Sequence, residues 1–414
     1  MPLTRRAAVL SVALALVASS ASQAQPGPPP AVANPPAFDA CLARLRSDAV
    51  ARGIPPAAAE RHLAVVERDG SVLESLDFQP EFRTPIWDYL AGLVDAQRVD
   101  DGRAMLERWR EALATVEARH GVDPATVVAV WGVESDFGRA VGRKAVVRSL
   151  ATLSCEGRRQ TFFRGELFAA LRILADGHVA PDRFNGSWAG AFGQTQFMPS
   201  TFLAAAVDFD GDGRRDVVDT VPDALASTAN YLRRAGWRSG EPWGWEVRLP
   251  PGFDASLAGR TKRRPLAEWA ARGVRRVDGG PLESAGATGA VILPAGAGGP
   301  AFVVLRNFDA IYAYNAAESY ALAIAHLADR LRGGEPFATP WPTDDPGLSR
   351  AERRELQTLL LARGHAIGEP DGLIGTMTRR AIRDEQARLG HAEDGRAGMK
   401  LLRALRDGTS PGPR

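Results

Sequence analysis

A single glutamate at the end of an apolar helix face is the clearest candidate for chemistry in this chain. In the segment DPATVVAVWGVESDFG, Val127, Val130 and Trp131 recur at the spacing of one helix face, and Glu134 continues that face. A carboxyl group in apolar surroundings loses hydration, which disfavours its charged form and raises its pKa. An acid that stays protonated near neutral pH can donate a proton to a glycosidic oxygen. The alternative is a structural glutamate bonded to a nearby amide or arginine.

The residues around Glu134 predict where its helix begins and where the next acid points. Asp123 is a good N-cap acceptor and Pro124 suits the first helical turn, so a helix should start there. Asp136 lies two positions beyond Glu134 and should point well away from it. Hydrolysis of a glycosidic bond would need a second carboxylate, and Asp136 is the nearest in sequence. The segment therefore offers one acid rather than a pair.

The segment SWAGAFGQTQFMPST, which begins at Ser187, mixes small, aromatic and amide side chains. This mixture suits a cleft wall where the backbone comes close to a ligand. Ser187, Gln194 and Gln196 could hydrogen-bond an amide-bearing sugar, and Trp188 or Phe197 could stack on it. A tightly packed helix junction is the alternative.

The segment DFDGDGRRDVVD has the pattern of an EF-hand-like calcium loop. Gly213 stands where the loop turns sharply, and Arg214 would offer its backbone carbonyl. Side-chain oxygen donors fall at the ligand positions of the loop, namely Asp208, Asp210, Asp212, Asp216 and Asp219. Aspartate replaces the usual glutamate at the last position. The loop therefore predicts a structural Ca²⁺ site, with a solvated acidic turn as the alternative, and no organic cofactor is expected.

Length and composition describe an ordinary soluble protein with room for two or three domains. The chain has 414 residues, of which 45% are hydrophobic and 24% charged, and its net charge is +2. No basic block stands out, so the charge pattern argues against nucleic acid as a partner.

The amino terminus has the features of an export signal. Arg5 and Arg6 precede a short apolar run, and Ser22 and Ala24 form a small-residue cleavage site. We expect a signal peptide over residues 1–24 that is cleaved near Ala24, by either the general secretory or the twin-arginine route. No cysteine follows the apolar run, so no lipid anchor is indicated, and no membrane anchor is expected after cleavage.

Two cysteines, Cys41 and Cys155, are far apart in the chain. In an oxidising compartment they could form a disulfide between the first helix and the segment after the Glu134 helix. Two separately buried thiols are the alternative, since sequence does not supply the geometry.

Beyond the signal, the pattern is mainly helical. Helices are expected near Phe38 and Pro55, from about Arg98 to His120, and then through the chain to Arg332. Short β-branched runs among Gly and Pro predict a small sheet inserted over about 245–310. The predicted domains are a disordered linker (25–36), a catalytic domain (37–332), a Pro/Gly linker (333–347) and a compact helical unit (348–407).

Four separated motifs resemble the lytic murein transglycosylase B family over about residues 38–332. They are WGVESDFGR, GSWAGAFGQTQFMPS, the acidic loop and YNAAESYALAIAHL. The C-terminal unit, with LQTLLLARG and DGLIG, resembles a small peptidoglycan-binding domain. The resemblance implies a mainly α fold, with a lysozyme-like helical catalytic domain and a small β insertion, followed by a three-helix peptidoglycan-binding domain.

The resemblance also implies a reaction and a set of residues. The expected reaction cleaves the β-1,4 bond between N-acetylmuramic acid and N-acetylglucosamine without water, in cell-wall turnover in the periplasm, and Glu134 matches the family's single acid/base. Calcium and peptidoglycan strands are the implied ligands. The residues that would line the saccharide cleft are Ser187, Gln196, Tyr231, Tyr314, Asn315 and Tyr320.

Two other functions remain open from sequence, a hydrolytic muramidase and a non-catalytic wall-binding protein. The three differ in their products, which are anhydro sugars, reducing ends or none. We also expect that removing residues 348–414 would weaken wall retention but spare activity on soluble glycan strands.

Overall fold

The computed structural model describes residues 34–76, 84–282 and 286–408. The expected signal peptide and most of the expected linker after it lie outside these residues. The helices are α1 (Pro36–Ala51), α2 (Pro56–Leu63), α3 (Gly70–Leu76), α4 (Ile86–Leu93), α5 (Ala96–Arg108), α6 (Arg110–His120), α7 (Pro124–Ser135), α8 (Val146–Cys155), α9 (Gln160–Ala175), α10 (Pro199–Ala205), α11 (Val221–Arg234), α12 (Leu266–Ala271), α13 (Arg306–Asn315), α14 (Glu318–Leu331), α15 (Arg350–Ala362), α16 (Thr376–Leu389) and α17 (Met399–Arg406). The strands are β1 (Lys144–Ala145), β2 (Asn185–Gly186), β3 (Gly244–Arg248), β4 (Arg264–Pro265), β5 (Arg275–Arg276), β6 (Thr288–Ile292) and β7 (Ala301–Val304). Within the described ranges, every helix is too short or too polar to cross a bilayer.

Helix α7 is the buried centre of the helical body. The Asp123 side chain accepts a hydrogen bond from the Thr126 N–H at 3.1 Å, and Pro124 occupies the first turn. Helix α14 packs along α7, and α5, α6 and α11 surround the pair. Because nearly every side chain of α7 is buried, this helix has no polar face and is held by tertiary packing.

A second core lies under α1, α2, α8 and α9. Leu45, Leu63, Leu150 and Leu171 are each no more than 1% exposed in it. A disulfide joins Cys41 of α1 to Cys155 at the end of α8. The first helices are therefore fixed both covalently and by apolar burial to the segment that follows α7.

The inserted sheet has strand order β4-β6-β7-β3-β5, and every neighbouring pair is antiparallel. Along β7, Phe302 and Val304 pack on the helical body, whereas Val303 packs with Trp269 of α12 on the other face. Both faces are covered, which explains why the strands read as apolar runs rather than as an alternating pattern.

The C-terminal unit has three helices and a core of its own, and α15 begins with a capping box of Ser349 and Glu352. It also contacts the helical body through ion pairs. Arg350 contacts Asp136 at 2.7 Å, and Arg396 holds Asp88 through two hydrogen bonds of 2.6 and 2.8 Å. The contact places this unit beside the C-terminal end of α7.

One expected helix, from about Arg98 to His120, is two. The chain leaves helical geometry at Trp109, where φ is −108° and ψ is 21°. Helix α5 packs on α7 and α14, whereas α6 packs mainly on α11. A straight helix could not bury both segments against partners that lie in different directions. The break therefore depends on tertiary packing, which the local sequence pattern does not predict.

Candidate active site

Glu134 lies in the last turn of α7 and lines a groove of about 790 Å³. The Tyr320 hydroxyl donates a hydrogen bond to its Oε1 atom. Burial of the carboxyl raises the pKa of Glu134 from 4.5 to about 8, although the bond from Tyr320 opposes the shift. The side chain is therefore mostly protonated at neutral pH, which is the state that a general acid needs.

The backbone turns sharply directly after Glu134. Asp136, Phe137 and Gly138 all have positive φ, at 51°, 59° and 84°. The Phe137 ring returns to pack edge-on against Trp131, with 5.6 Å between ring centroids. This turn ends α7 at the groove and carries the next carboxylate away from Glu134.

The Asp136 carboxylate is bound by arginine side chains. Burial alone would raise the pKa of Asp136, but hydrogen bonds from Arg350 and Arg139 lower it to about 2. Arg98 also contacts Asp136, at 3.2 Å. Asp136 therefore stays ionised, and it joins the helical body to the C-terminal unit.

The end of α7 is tied to the segment that begins at Ser187. The Trp131 indole donates to Gln194 Oε1 at 3.0 Å, and the Ser135 hydroxyl donates to the Gln194 carbonyl at 2.7 Å. The two motifs are thus brought together through Gln194. This side chain is buried and used inside the protein, so it does not face a sugar.

A layer of aromatic rings supports Tyr320 from behind. Tyr320 stacks on Tyr314 at 6.3 Å between centroids, and Tyr314 contacts Tyr231 at 4.7 Å. The Tyr314 hydroxyl donates to the Thr195 carbonyl at 2.7 Å. Burial raises the pKa of Tyr314 and Tyr320 well above the ordinary tyrosine value, so both keep their protons and act as donors.

The structure places only some of the expected substrate-binding residues in the groove. Asn315 and Tyr320 line it together with Glu134, since the break between α13 and α14 puts both near the end of α7. Phe197 is 2% exposed and packs against Tyr231 and Tyr314, so in this structure it is a core residue rather than a stacking surface. The stacking role expected for Phe197 is corrected accordingly.

Three other expected residues lie in the same turn segment. Ser187 accepts the Ala191 N–H at 3.1 Å through its hydroxyl. Gln196, with a φ of 48°, donates from its side chain to the Val141 carbonyl at 2.9 Å. Trp188 is half-buried against the second core. None of the three is among the described residues that line the groove with Glu134.

The opposite side of the groove comes from the C-terminal unit. Its lining includes Leu373 and Ile374, which precede α16, and the arginines Arg353, Arg379 and Arg396. Sequence reasoning missed these residues. Their positions depend on the docking of two separate units, and neither the apolar pattern nor a motif reports docking.

The acidic loop brings three carboxylates together. Oxygen atoms of Asp208, Asp210 and Asp212 lie within 4.8 Å of one another, as a single hard cation would require. Gly213 has a φ of 88°, and a Cβ there would meet no atom within 4 Å. The donor set therefore fits Ca²⁺.

The remaining loop carboxylates have protein partners. Asp216 accepts N–H groups from Val218 and Asp219, and the Asp219 side chain pairs with Arg183. In this structure the last expected ligand, Asp219, is therefore directed to an arginine rather than to the acidic cluster. Asp223, which the sequence pattern did not indicate, braces the loop by accepting the N–H groups of Phe209 and Asp216 at 2.9 and 2.6 Å.

Comparison with known proteins identifies the family. The family model described as the transglycosylase SLT domain matches residues 37–329. The chain belongs to this family. A second model, described as a peptidoglycan binding domain, matches residues 349–405.

The resemblance to lytic murein transglycosylase B is confirmed. The membrane-bound lytic murein transglycosylase B of Escherichia coli strain K12 is 32% identical over 287 residues, which cover 64% of this chain and 75% of that protein. The chain is thus a lytic transglycosylase. The expected fold class is also confirmed, with a helical catalytic domain, a small sheet and a helical C-terminal domain.

Solved structures of transglycosylases are similar over most of the chain. SltB3 from Pseudomonas aeruginosa, in complex with NAG-anhNAM-pentapeptide, has 50% identity and a TM-score of 0.72, and the match covers 89% of this chain and 99% of that chain. The Escherichia coli transglycosylase Slt35, in complex with calcium, has 29% identity and a TM-score of 0.62, and the match covers 72% of this chain and 94% of that chain.

Proposed function

We propose that this transglycosylase cleaves the β-1,4 bond between N-acetylmuramic acid and N-acetylglucosamine of peptidoglycan, and that Glu134 is both acid and base. The Glu134 carboxyl gives its proton to the glycosidic oxygen, and the C1–O bond breaks with help from the muramoyl acetamido group. The resulting carboxylate then takes the proton of the muramoyl C6 hydroxyl, whose oxygen bonds to C1. The product is a 1,6-anhydro sugar, and Glu134 regains its proton.

The observation that carries this proposal is the environment of Glu134. A carboxyl with a pKa of about 8 is protonated at the start of the reaction and basic enough to take a proton back. Tyr320 holds Oε1 and leaves the other oxygen for the substrate. One residue can therefore serve both steps.

Carboxylates near Glu134 are engaged elsewhere, which favours the lytic over the hydrolytic reaction. Asp136 is held by arginines, and Asp88 accepts both of its hydrogen bonds from Arg396. Asp394, which also lines the groove, accepts the Gln386 side chain at 2.6 Å. A hydrolase needs a second carboxylate to activate water or form a covalent bond, and each of these is neutralised or bonded. The anhydro ligand bound to SltB3 agrees with this reading.

The saccharide would lie between the two domains, in contact with Asn315 and Tyr320 on one side and the C-terminal unit on the other. Ser187, Trp188, Gln196, Tyr231 and Tyr314 would shape the cleft from the adjoining segments. The Arg379 guanidinium on the C-terminal side favours the acidic peptides of the wall polymer. The C-terminal unit would thus contribute to turnover as well as to wall retention, contrary to our expectation from sequence.

The acidic loop would hold a structural Ca²⁺ through Asp208, Asp210 and Asp212, with Asp216, Asp219 and the Arg214 carbonyl completing the set. Calcium would offset the mutual repulsion of three clustered carboxylates and so fix the loop between α10 and α11. The bound calcium in Slt35 supports this assignment.

The enzyme would act in cell-wall turnover outside the cytoplasm, after an N-terminal signal is removed. Its substrate class requires access to the wall, and a disulfide between Cys41 and Cys155 suits an oxidising compartment. The features of residues 1–24 are those of a signal peptide.

Analysis of digested peptidoglycan by mass spectrometry tests the proposal. Glu134→Gln should keep the fold but lower the rate of anhydro product formation by about 10²- to 10⁴-fold, since an amide cannot supply the proton. Glu74→Gln serves as a matched control, because Glu74 is exposed and does not line the groove, and it should retain the rate. Near-normal turnover by the Glu134→Gln enzyme would remove Glu134 from the role, and reducing ends in place of anhydro sugars would identify a muramidase.

A further inference from the structure

A second cavity, of about 850 Å³, lies at the far end of α7 and α14 from Glu134. Asp123 and Thr126 line it at the start of α7, and His326 and Asp329 line it near the end of α14. Asp123 and Glu134 are eleven positions apart in the sequence, or about 16 Å along a helix. Among the described residues, none lines both this cavity and the groove at Glu134.

The walls of this cavity are aromatic. Trp237, Trp243, Trp245 and Phe337 all line it. Trp237 and Trp245 are half-buried, so part of each ring is accessible. Within the described part of the chain, neither of their indole N–H groups donates to a protein acceptor. Flat apolar faces with spare donors are the features by which a cleft binds an amphipathic ring.

The cavity is held open by contacts in its walls. The Trp243 indole donates to Asp329 at 2.7 Å, and the Phe337 ring stacks on His326 with 3.8 Å between centroids. Glu246 accepts the backbone N–H groups of Ala338 and Thr339, each at 2.7 Å. The segment after α14 is thereby fixed as one wall, so a ligand would meet a preformed site and little ordering cost would oppose binding.

The charge of the lining selects among ligands. Among the described residues that line this cavity, seven carry carboxylates and two, Arg276 and Arg332, carry guanidinium groups. A ligand that carries carboxylates of its own would be repelled. Each carboxylate has spare lone pairs that can accept hydrogen bonds from hydroxyl or amide N–H groups.

Two of the places that a cationic ligand would take in this cavity are already occupied by protein cations. The Arg276 guanidinium lies 4.8 Å from the centre of the Trp245 ring. Arg332 pairs with both Asp123 and Asp329, at 2.6 and 2.8 Å. What remains is a cavity of net negative charge with aromatic faces and hydrogen-bond acceptors.

We infer that this cavity is a second saccharide site, which binds a neutral N-acetylated stretch of glycan that carries no acidic peptide. A sugar ring would place its apolar C–H face on Trp237, and its hydroxyl and acetamido N–H groups would donate to the carboxylates. The site would hold a peptide-free part of the wall polymer while the groove at Glu134 acts on another. It requires no role for Glu134, so its test does not depend on turnover.

Binding of the N-acetylglucosamine tetramer to the full chain carrying Glu134→Gln tests this inference by calorimetry. We expect a class of sites that Trp237→Ala weakens by about ten-fold, with partial recovery in Trp237→Phe. Trp109→Ala is the control for loss of an indole, since Trp109 is also half-buried and lines neither cavity. Trp237→Ala in the active enzyme should leave the anhydro product unchanged. If the proposed reaction is wrong, the product of the active enzyme will differ, but binding of the tetramer at this cavity will not.

Covalent footprinting of the same protein gives a readout that does not depend on whether Trp237→Ala folds. The tetramer should protect peptides that contain residues 237–246 and 334–338. An isotherm that Trp237→Ala and Trp245→Ala leave unchanged, with no protection of these peptides, would overturn the inference. Tighter, salt-sensitive binding of the deacetylated glucosamine tetramer would also overturn it, because it would identify an ammonium site.

Discussion

Replacement of Glu134 by glutamine should stabilise the protein, and the gain should depend on pH. Folding raises the pKa of this carboxyl from 4.5 to about 8, so the folded state binds the proton more tightly than the unfolded state. The contribution of this carboxyl to the free energy of unfolding is therefore fully present below pH 4.5 and is lost as pH rises towards 8. Glutamine has no proton to lose and avoids this cost.

The size of the effect follows from the same pKa values. Between pH 4.5 and pH 7, the ionisable carboxyl should lower the free energy of unfolding by about 3 kcal/mol, at 1.36 kcal/mol for each pH unit. The groove admits water to one side of the carboxyl, so screening should reduce the measured difference to about 1–3 kcal/mol.

Urea unfolding of both proteins between pH 4 and pH 8 measures this difference. The curves should nearly coincide at pH 4, and the variant should become the more stable protein as pH rises. Glu74→Gln is a suitable control, because Glu74 is exposed and should show no such trend. A difference that is constant with pH would refute the desolvation of Glu134, and a less stable variant at pH 8 would show that the carboxylate is favourably paired.

Three further predictions concern the contacts of the site. Tyr320→Phe removes the hydrogen bond that lowers the pKa of Glu134, so this pKa should rise. The alkaline limb of the pH profile of kcat/KM should therefore move up by about one pH unit, and an unmoved limb would contradict the contact. Removing calcium with a chelator should lower the melting temperature, because Ca²⁺ at a hundred times its Kd stabilises the folded state by about 3 kcal/mol. Asp210→Asn should abolish this response, and a chelator without effect would exclude the site. Arg350→Ala breaks a half-buried ion pair with Asp136 and should weaken the docking of the C-terminal unit by about 2 kcal/mol. Proteolysis of the linker should become faster, and KM for polymeric glycan should rise. Unchanged proteolysis would mean that docking does not depend on this pair.

The sequence predicted those parts of the site that depend on short-range patterns. The stripe that ends at Glu134, the cap at Asp123 and the acidic loop from Asp208 depend on neighbours within one turn or loop, so spacing is enough to reveal them. The two helices in place of one at Trp109 depend instead on where α7 and α11 lie. The positions of these two helices belong to the tertiary structure, and the spacing of residues near Trp109 does not indicate them.

The distribution of roles within the motifs was harder to predict. Gln194 and Phe197 belong to the segment that resembles a cleft wall, yet the structure uses them to attach that segment to Trp131 and to support Tyr314. An amide or an aromatic ring suits either purpose, and only burial distinguishes them. The arginines of the C-terminal unit reach the groove through domain docking, for which the chain offers no periodic signal.

Cleavage of peptidoglycan in water enriched in oxygen-18 tests the central claim most directly. If the protonated Glu134 releases the leaving sugar and the muramoyl C6 hydroxyl closes the ring, the new ends should be anhydro sugars that contain no oxygen-18. One heavy oxygen at each newly formed muramoyl end would show that water attacks C1, and would contradict the account.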